Sequence, residues 1–491
     1  MQKLKAVLSK YKSIPIQARA SFWFLICGIL QNGLNVITLP LFTRLLTTEQ
    51  YGLSSTYFAW SDLIVIVCTL RLSYGVFDKG MIKYTEERDK FESAILGLTT
   101  TIAVSMLGLF LLFHDFVEKA LGMSFVLCFS LFSIQIFAPA LLFWTARNKY
   151  EYKYRKFTIV TICTSVICTV GNLLAVLTVN YDRGVTKILS YQIIWCAVYV
   201  VFYIYIFAKG KTFFRKDIWK YALGFNLPLI PYFLSTLILD KADRIMIGYF
   251  CGNSDVALYS VSYNLGRLMV LLTSAIDSTF TPWIYQKLKN KDIKNGKKVT
   301  FGIMLAFMAL ASMFMLFAPE LIGIFAAEQY KSAVYIIPPV AASYFFVMMY
   351  NIISKVEFYY EKTKAIAFVT AAAAVLDIVL NYFAIPRFGY IAAGYTTLIS
   401  YIFMAAGHFV LSWRISKKNN INKDIFPWKS LCLLSLLMIA VTVSVNLLYS
   451  NTLLRWCALA AIVAVLIVFR RKLADLIKTI GKKESISEGE N

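Results

Sequence analysis

The sequence predicts an all-α integral membrane protein of about fourteen transmembrane helices, arranged as two six-helix lobes plus two C-terminal helices around a central cavity. Three observations carry that expectation. The chain of 491 residues is 59% hydrophobic and only 16% charged, so lipid rather than water is its main solvent. Its apolar residues fall in runs of about 20, the length a helix needs to cross a hydrocarbon core in which it must satisfy its own backbone. Lysine and arginine alternate between rich and poor connections along the whole chain.

Residues 1–20 are basic (Lys3, Lys5, Lys10, Lys12, Arg19) and lead into an apolar run longer than a signal-peptide core. No small-residue cleavage site follows, so the run reads as a retained first span. Spans are expected near 21–41, 51–74, 91–113, 120–143, 157–179, 185–208, 219–240, 256–281, 299–318, 332–354, 365–385, 389–412, 428–449 and 453–470. The segments 1–20, 75–90, 144–156, 209–220, 282–298, 355–364, 413–429 and 470–491 hold 39 of the 50 Lys and Arg, and the opposite connections hold nine. That bias makes the rich side cytoplasmic, places both termini there and requires an even helix count. The formal charge of +23 is then a consequence of topology, and no nucleic-acid partner is expected. The charged tail from Lys472 to Asn491 is expected to be disordered. Nine cysteines, most of them inside apolar runs and without CxxC or Cys/His spacing, give neither a metal site nor a disulfide framework.

The chain also reads as an internal repeat, with an N-lobe over 21–215, a C-lobe over 216–412, a loop and two appended helices over 413–470 and a tail over 471–491. Residues 52–73 align with 257–278 at a constant offset of 205, which pairs Ser55 with Ser260, Asp62 with Arg267, Thr69 with Ser274 and Ser73 with Ser278. Asn172 and Ser190-Tyr191 correspond in the same way to Asn381 and Ser400-Tyr401. Six helices per unit is an even number, so both halves enter from the same side, as in parallel-repeat transporters.

Polar residues inside the spans are the candidate site. Ser260, Asn264, Arg267, Ser274 and Ser278 have spacings that place them on one face of the eighth helix, with Ser55, Asp62, Thr69 and Ser73 on the matching face of the second. A charge near the bilayer centre costs several kcal/mol, so Arg267 and Asp62 either face a hydrated cavity or pair with each other. In the cavity reading Arg267 meets an anionic group, because its fork suits phosphate. Arg71 lies near a span end and either binds substrate or snorkels. Gln31, Asn32 and Asn35 make the middle of the first helix polar, for cavity lining or interhelical hydrogen bonds. Asp62, Asp277 and Asp377 are candidates for proton or sodium coupling, and Asp277 equally for a helix end at the interface. Pro228 and Pro231 would break the seventh helix and suit a bending gate. Neither histidine, His114 or His408, neighbours a Ser, Cys or acidic set that would make a hydrolase or an acyltransferase, and no GxxxxGK[ST] loop is present. No catalytic residue, metal or cofactor is therefore expected beyond a coupling H+ or Na+.

Three stretches resemble one family. Pro40-Leu41-Phe42-Thr43-Arg44-Leu45-Leu46-Thr47-Thr48-Glu49-Gln50-Tyr51-Gly52 resembles the end of the first helix of Wzx-type polysaccharide flippases. Asp240 to Asn264 resembles their seventh-to-eighth helix junction, and Leu380 to Tyr390 with Ala392-Ala393-Gly394 the element after their eleventh helix. The resemblance implies the multidrug/oligosaccharidyl-lipid/polysaccharide flippase superfamily. It implies movement of oligosaccharide repeat units on undecaprenyl pyrophosphate across a bacterial plasma membrane, for capsule, O-antigen or exopolysaccharide. Without an ATP site, alternating access would run on an ion or product gradient. The expected partners are the lipid-linked oligosaccharide, membrane lipids and the polysaccharide polymerase and chain-length machinery, with the transporter itself a monomer. Only one clear mid-span arginine is present, fewer than a strongly cationic cavity would carry. The competing readings are a lipid II flippase or a cation-coupled drug antiporter of the same superfamily, the latter favouring acidic and aromatic cavity residues. A polytopic polymerase, ligase or acyltransferase would show a long outer loop or an intramembrane histidine with acidic partners, and neither is expected in this chain.

Overall fold

The computed structural model describes residues 15–290, 295–419 and 426–481. Lys3, Lys5, Lys10, Lys12 and the tail beyond Gly481 lie outside the described residues, as do the side chains of Asn32 and Asn35. No strand occurs among the described residues. In chain order the α-helices are α1 Ile16–Leu45, α2 Thr48–Thr69, α3 Val76–Lys83, α4 Arg88–Leu112, α5 His114–Leu121, α6 Phe125–Ser133, α7 Ala138–Tyr150, α8 Tyr154–Thr178, α9 Arg183–Gly210 and α10 Lys216–Asn226. They continue as α11 Ile230–Cys251, α12 Asn253–Gly266, α13 Met269–Lys289, α14 Gly296–Leu316, α15 Ala318–Phe325, α16 Ile337–Tyr359, α17 Thr363–Phe388, α18 Tyr390–Lys418, α19 Trp428–Leu448 and α20 Thr452–Gly481.

Among the described residues 13 helical spans are long and apolar enough to cross a membrane, and the stretch Thr452–Val468 of α20 supplies a shorter fourteenth. The all-α, multi-pass architecture expected from hydropathy is thus present. The chain divides into two compact units, Met1–Ala257 and Leu258–Asn491.

In the first unit α2 is the hub, packed against α9 and α11, while α1 lies along α8. Thr47 caps α2 by accepting from the Gln50 backbone, and the Gln50 side chain returns the bond to the Thr47 amide. Glu49 accepts from Asn253 Nδ2 (2.9 Å) and Ser254 Oγ (3.2 Å), and Gln50 donates to Asp182 (3.1 Å). Gly52 permits this docking, because a methyl group there would overlap the Asn253 carbonyl. The Thr47–Gly52 motif is therefore the seat on which the α8–α9 and α11–α12 connections rest. At the other end of the unit Arg147 bridges Asp89 (2.5 Å), Glu92 (2.6 Å) and Glu151 (3.0 Å), joining α4 to α7.

In the second unit α16 is buried along most of its length and packs against α13, α14, α18 and α19. Gly394 of α18 allows close approach, since a Cβ there would lie 3.1 Å from Pro339 of α16. Gly389, at φ +71°, turns the chain from α17 into α18 and completes the third motif. The two asparagines that the repeat aligns make different bonds. Asn172 donates to Ser190 Oγ (2.8 Å) across α8–α9, and Asn381 accepts from Thr396 Oγ1 across α17–α18. The partner in the second hairpin is one turn earlier than Ser400.

Several boundaries move. The second span stops at Thr69, where Leu70 and Arg71 take left-handed backbone conformations (φ 47° and 50°). The seventh continues to Cys251, so Lys241 and Arg244, expected in an outer connection, lie within α11. The eighth is broken at Arg267–Leu268 between α12 and α13.

Candidate functional site

The residues expected to bind substrate or couple ions fall into separate groups, each inside one unit. In the first unit Asp62 of α2 forms an ion pair with Lys241 Nζ of α11 at 3.1 Å, and Lys241 also reaches Asp240 at 3.4 Å. The Lys241 side chain is 14% exposed and that of Asp62 48%, so the acid is the solvated member and the ammonium the buried one. Lys241 lies ten residues before Cys251, which puts it about 15 Å along the helix from that end. A lysine at such depth needs a counter-charge, and Asp62 and Asp240 provide it. Asp243 and Arg244, one turn further along, are buried. The four charges of Asp240-Lys241-Ala242-Asp243-Arg244 thus form a neutral set within the membrane span rather than a loop.

Arg71 sits in the left-handed turn after α2, with its guanidinium 5.3 Å from the Phe233 ring centroid. Its backbone carbonyl and that of Leu70 accept from the fully buried Asn226 (3.0 and 2.9 Å). Asn226 ends α10 where Pro228 falls in a short 3-10 turn and Pro231 opens α11. The expected break at Pro228 and Pro231 is present, and it docks on the break that carries Arg71. Gln31 is exposed on α1 and donates weakly to Ser165 of α8 at 3.4 Å.

In the second unit Asn264, Arg267, Ser274 and Ser278 are exposed. Ser260 is not on that stripe. It is 1% exposed, because Tyr259 to Val261 form part of the packed core, and the expected set of five on one face is reduced to four. The two-residue break at Arg267 also changes the register between Asn264 and Ser274. Asp277 pairs with Lys355 of α16 at 2.6 Å and accepts from Thr281. Asp377 is fully buried, and its Oδ2 accepts from Asn381 Nδ2 at 3.2 Å within α17.

Sequence reasoning missed Lys241 and Lys355, the partners of Asp62 and Asp277, because both were assigned to connections by their charge. The signal was available in the apolar run Ile245 to Cys251, which prolongs the helix past the charges. It also missed Glu357, which pairs with His408 across 51 residues of sequence at 2.7 Å.

The second unit holds a cavity of about 1090 Å³ between α14, α19 and α20. Its walls are mostly apolar (Phe301, Leu305, Leu437, Ile462, Leu466), with Lys298 and Asn295 at one end.

Thirteen apolar spans and the shorter helix Thr452–Val468, with ion pairs inside the spans, define a polytopic membrane protein. The architecture is that of the multidrug/oligosaccharidyl-lipid/polysaccharide flippase superfamily. The structure of the lipid II flippase MurJ in an inward closed conformation matches with a TM-score of 0.65 at 14% identity, over 93% of this chain and 99% of that one. An inward-facing multidrug MATE transporter matches with a TM-score of 0.59 at 15% identity, over 82% of this chain and 99% of that one. The chain belongs to the family described as "Polysaccharide biosynthesis protein", whose family model matches residues 18–288, more than half of its length. A second family model, MatE, matches residues 228–383. A Lsg locus protein of Haemophilus influenzae is 23% identical over 52% of this chain, and the match spans only 63% of that relative. The "Probable low-salt glycan biosynthesis flippase Agl15" of Haloferax volcanii is 22% identical over 78% of this chain and 81% of its own length.

Proposed function

We propose that the protein is a flippase that moves an oligosaccharide repeat unit on undecaprenyl pyrophosphate from the cytoplasmic to the outer leaflet of a bacterial plasma membrane. The observation that carries this reading is the cavity of about 1090 Å³, apolar along its walls and ended by Lys298. It is at the upper end of small-molecule sites, which span about 300–1,000 Å³, and far larger than an ion requires. A long isoprenoid chain suits such walls, and a cation at one end suits a phosphate. A pyrophosphate and sugar head cannot cross hydrocarbon unaided. Arg267, Asn264 and Ser274 in the second unit and, separately, Arg71, Gln31 and Asn35 in the first are the residues assigned to substrate binding. Asp62, Asp277 and Asp377 are assigned to ion coupling, and the breaks at Pro228 and Pro231 to gating. The glycan-flippase relative supports the substrate class, and the fold supports alternating access.

The test is flipping of a fluorescent undecaprenyl-pyrophosphate oligosaccharide in proteoliposomes, with wild type beside Arg267→Ala, Arg267→Lys and Lys298→Leu. Movement by wild type, and its loss in folded, inserted Arg267→Ala, is the expected result. A wild type that moves no lipid-linked sugar but extrudes a cationic dye under a sodium or proton gradient would replace the flippase with a drug antiporter.

A further inference from the structure

His408 is fully buried in the second unit, and so is its partner Glu357. His408 Nδ1 lies 2.7 Å from Glu357 Oε2, and Glu357 Oε1 accepts from Ser412 Oγ at 3.0 Å. The Ser412 hydroxyl is also 2.9 Å from the Ile353 carbonyl. A hydroxyl carries one hydrogen, so it serves one of these acceptors at a time. With Glu357 ionised, the hydroxyl donates to Oε1. With a proton on Oε1, the acid donates to Ser412 and the serine hydrogen turns to the Ile353 carbonyl. Both states of the carboxyl therefore keep their hydrogen bonds. On the far side of the ring, His408 Nε2 is buried without a hydrogen-bond partner among the described residues. That suits an imidazole with its hydrogen on Nδ1, because an unpaired buried N–H would be the costlier arrangement.

We propose that Glu357 and His408 form a proton-binding site in which the pair takes up and releases one H+ and Ser412 exchanges hydrogen-bond acceptors to match. Uptake makes one O–H or N–H bond with a proton from water and breaks no other covalent bond. Its use as a coupling site rests on the transporter reading, but its existence does not. Holding the proton, the pair is neutral; without it, the pair carries one negative charge. The surroundings suit such an exchange. On the helices packed against α16 and α18, the basic groups at the same end of the unit are Lys287 and Lys289 of α13, Lys297 and Lys298 of α14, Lys364 of α17 and Lys429 of α19. On α16 and α18 themselves Lys355 is held by Asp277, and Arg414 lies two residues beyond Ser412. The titratable rings nearby are Tyr285, which packs on Tyr359, and Tyr350. Tyr350, only half-buried, stacks on the imidazole with centroids 5.4 Å apart and planes at 22°.

The experiment needs no substrate. His114→Asn leaves His408 as the sole histidine, so ¹⁵N-histidine NMR in nanodiscs reads that ring alone, and the infrared carboxyl band reads Glu357, over about pH 5 to 9. The expected result is a single one-proton transition seen by both probes at the same pH. Glu357→Gln should remove the infrared change and move the histidine transition. Ser412→Ala removes a charge-assisted bond from the ionised carboxylate and a weaker one from the acid, so it should tighten proton binding by about fivefold. Signals that stay constant across the range in folded protein overturn the proposal, as does a histidine transition indifferent to Glu357→Gln. A wild type that shows the transition but moves no lipid-linked sugar removes the flippase reading and leaves this site standing.

Discussion

The Asp62–Lys241 pair permits a quantitative test of whether the charges in α11 belong to the membrane span. The perturbations are Asp62→Asn, Lys241→Met and the double substitution. At the observed 3.1 Å, Coulomb's law gives ~5 kcal/mol at an effective dielectric of about 20 and ~1.3 kcal/mol in bulk water. Asp62 is nearly half exposed while Lys241 is mostly buried, so the pair lies between those limits, nearer the solvated one. A coupling energy of about 1–3 kcal/mol is expected, with Lys241→Met the more harmful single change because it leaves Asp62 and Asp240 facing each other. The assay is a double-mutant cycle on unfolding free energy in bilayer discs, repeated at high salt. A cycle energy below about 0.3 kcal/mol, or a Lys241→Met variant more stable than wild type, would refute the reasoning and return Lys241 to the status of an outer-loop cation.

Other outcomes follow from the same geometry. Gly52→Ala should lower stability by about 1–3 kcal/mol or more, since its methyl group meets backbone rather than a movable side chain; thermal unfolding in detergent would show it, and a neutral result would mean that α2 is not seated on the Asn253 carbonyl. Arg147→Met should cost about 3–5 kcal/mol by leaving Glu92, 3% exposed, without its partner, whereas Glu92→Gln keeps a hydrogen bond and should cost less. Near it, Glu151 is pushed up by burial but pulled down further by Lys153 and Arg147, so its carboxyl lies below the usual glutamate range. A depressed carboxyl stabilises above its unfolded value and loses that stabilisation as pH falls through the lower folded one. Glu151→Gln should therefore flatten the acid side of the stability–pH curve.

The spans were readable in the sequence because each needs a long apolar run, and the alternation of basic connections follows from insertion physics. The ends and breaks of those spans were not. Leu70–Arg71 turns left-handed because Asn226, 155 residues away, takes both carbonyls, and no local pattern encodes that. The break at Arg267 carries no proline or glycine pair of the usual kind, only Gly266 just before it, close against Val340. Pro228 and Pro231, by contrast, announced their break directly.

The candidate site failed to resolve in sequence for a single physical reason. In sequence Asp62 is read against Arg267 and Asp277 without a base, while Lys241 and Lys355 are given to connections. Asp62 has Lys241, Asp277 has Lys355 and Glu357 has His408, at 3.1, 2.6 and 2.7 Å. An unpaired charge in a span is costly enough that a buried acid implies a nearby base. A window that ends a helix at the first charge removes that base from consideration. Applied in reverse, the rule extends α11 through Asp240-Lys241-Ala242-Asp243-Arg244 to the glycine at 252, because a net-neutral cluster followed by seven more apolar or small residues costs little to bury. The same rule marks His408, placed in the middle of an apolar helix, as a residue whose acid must come from another helix.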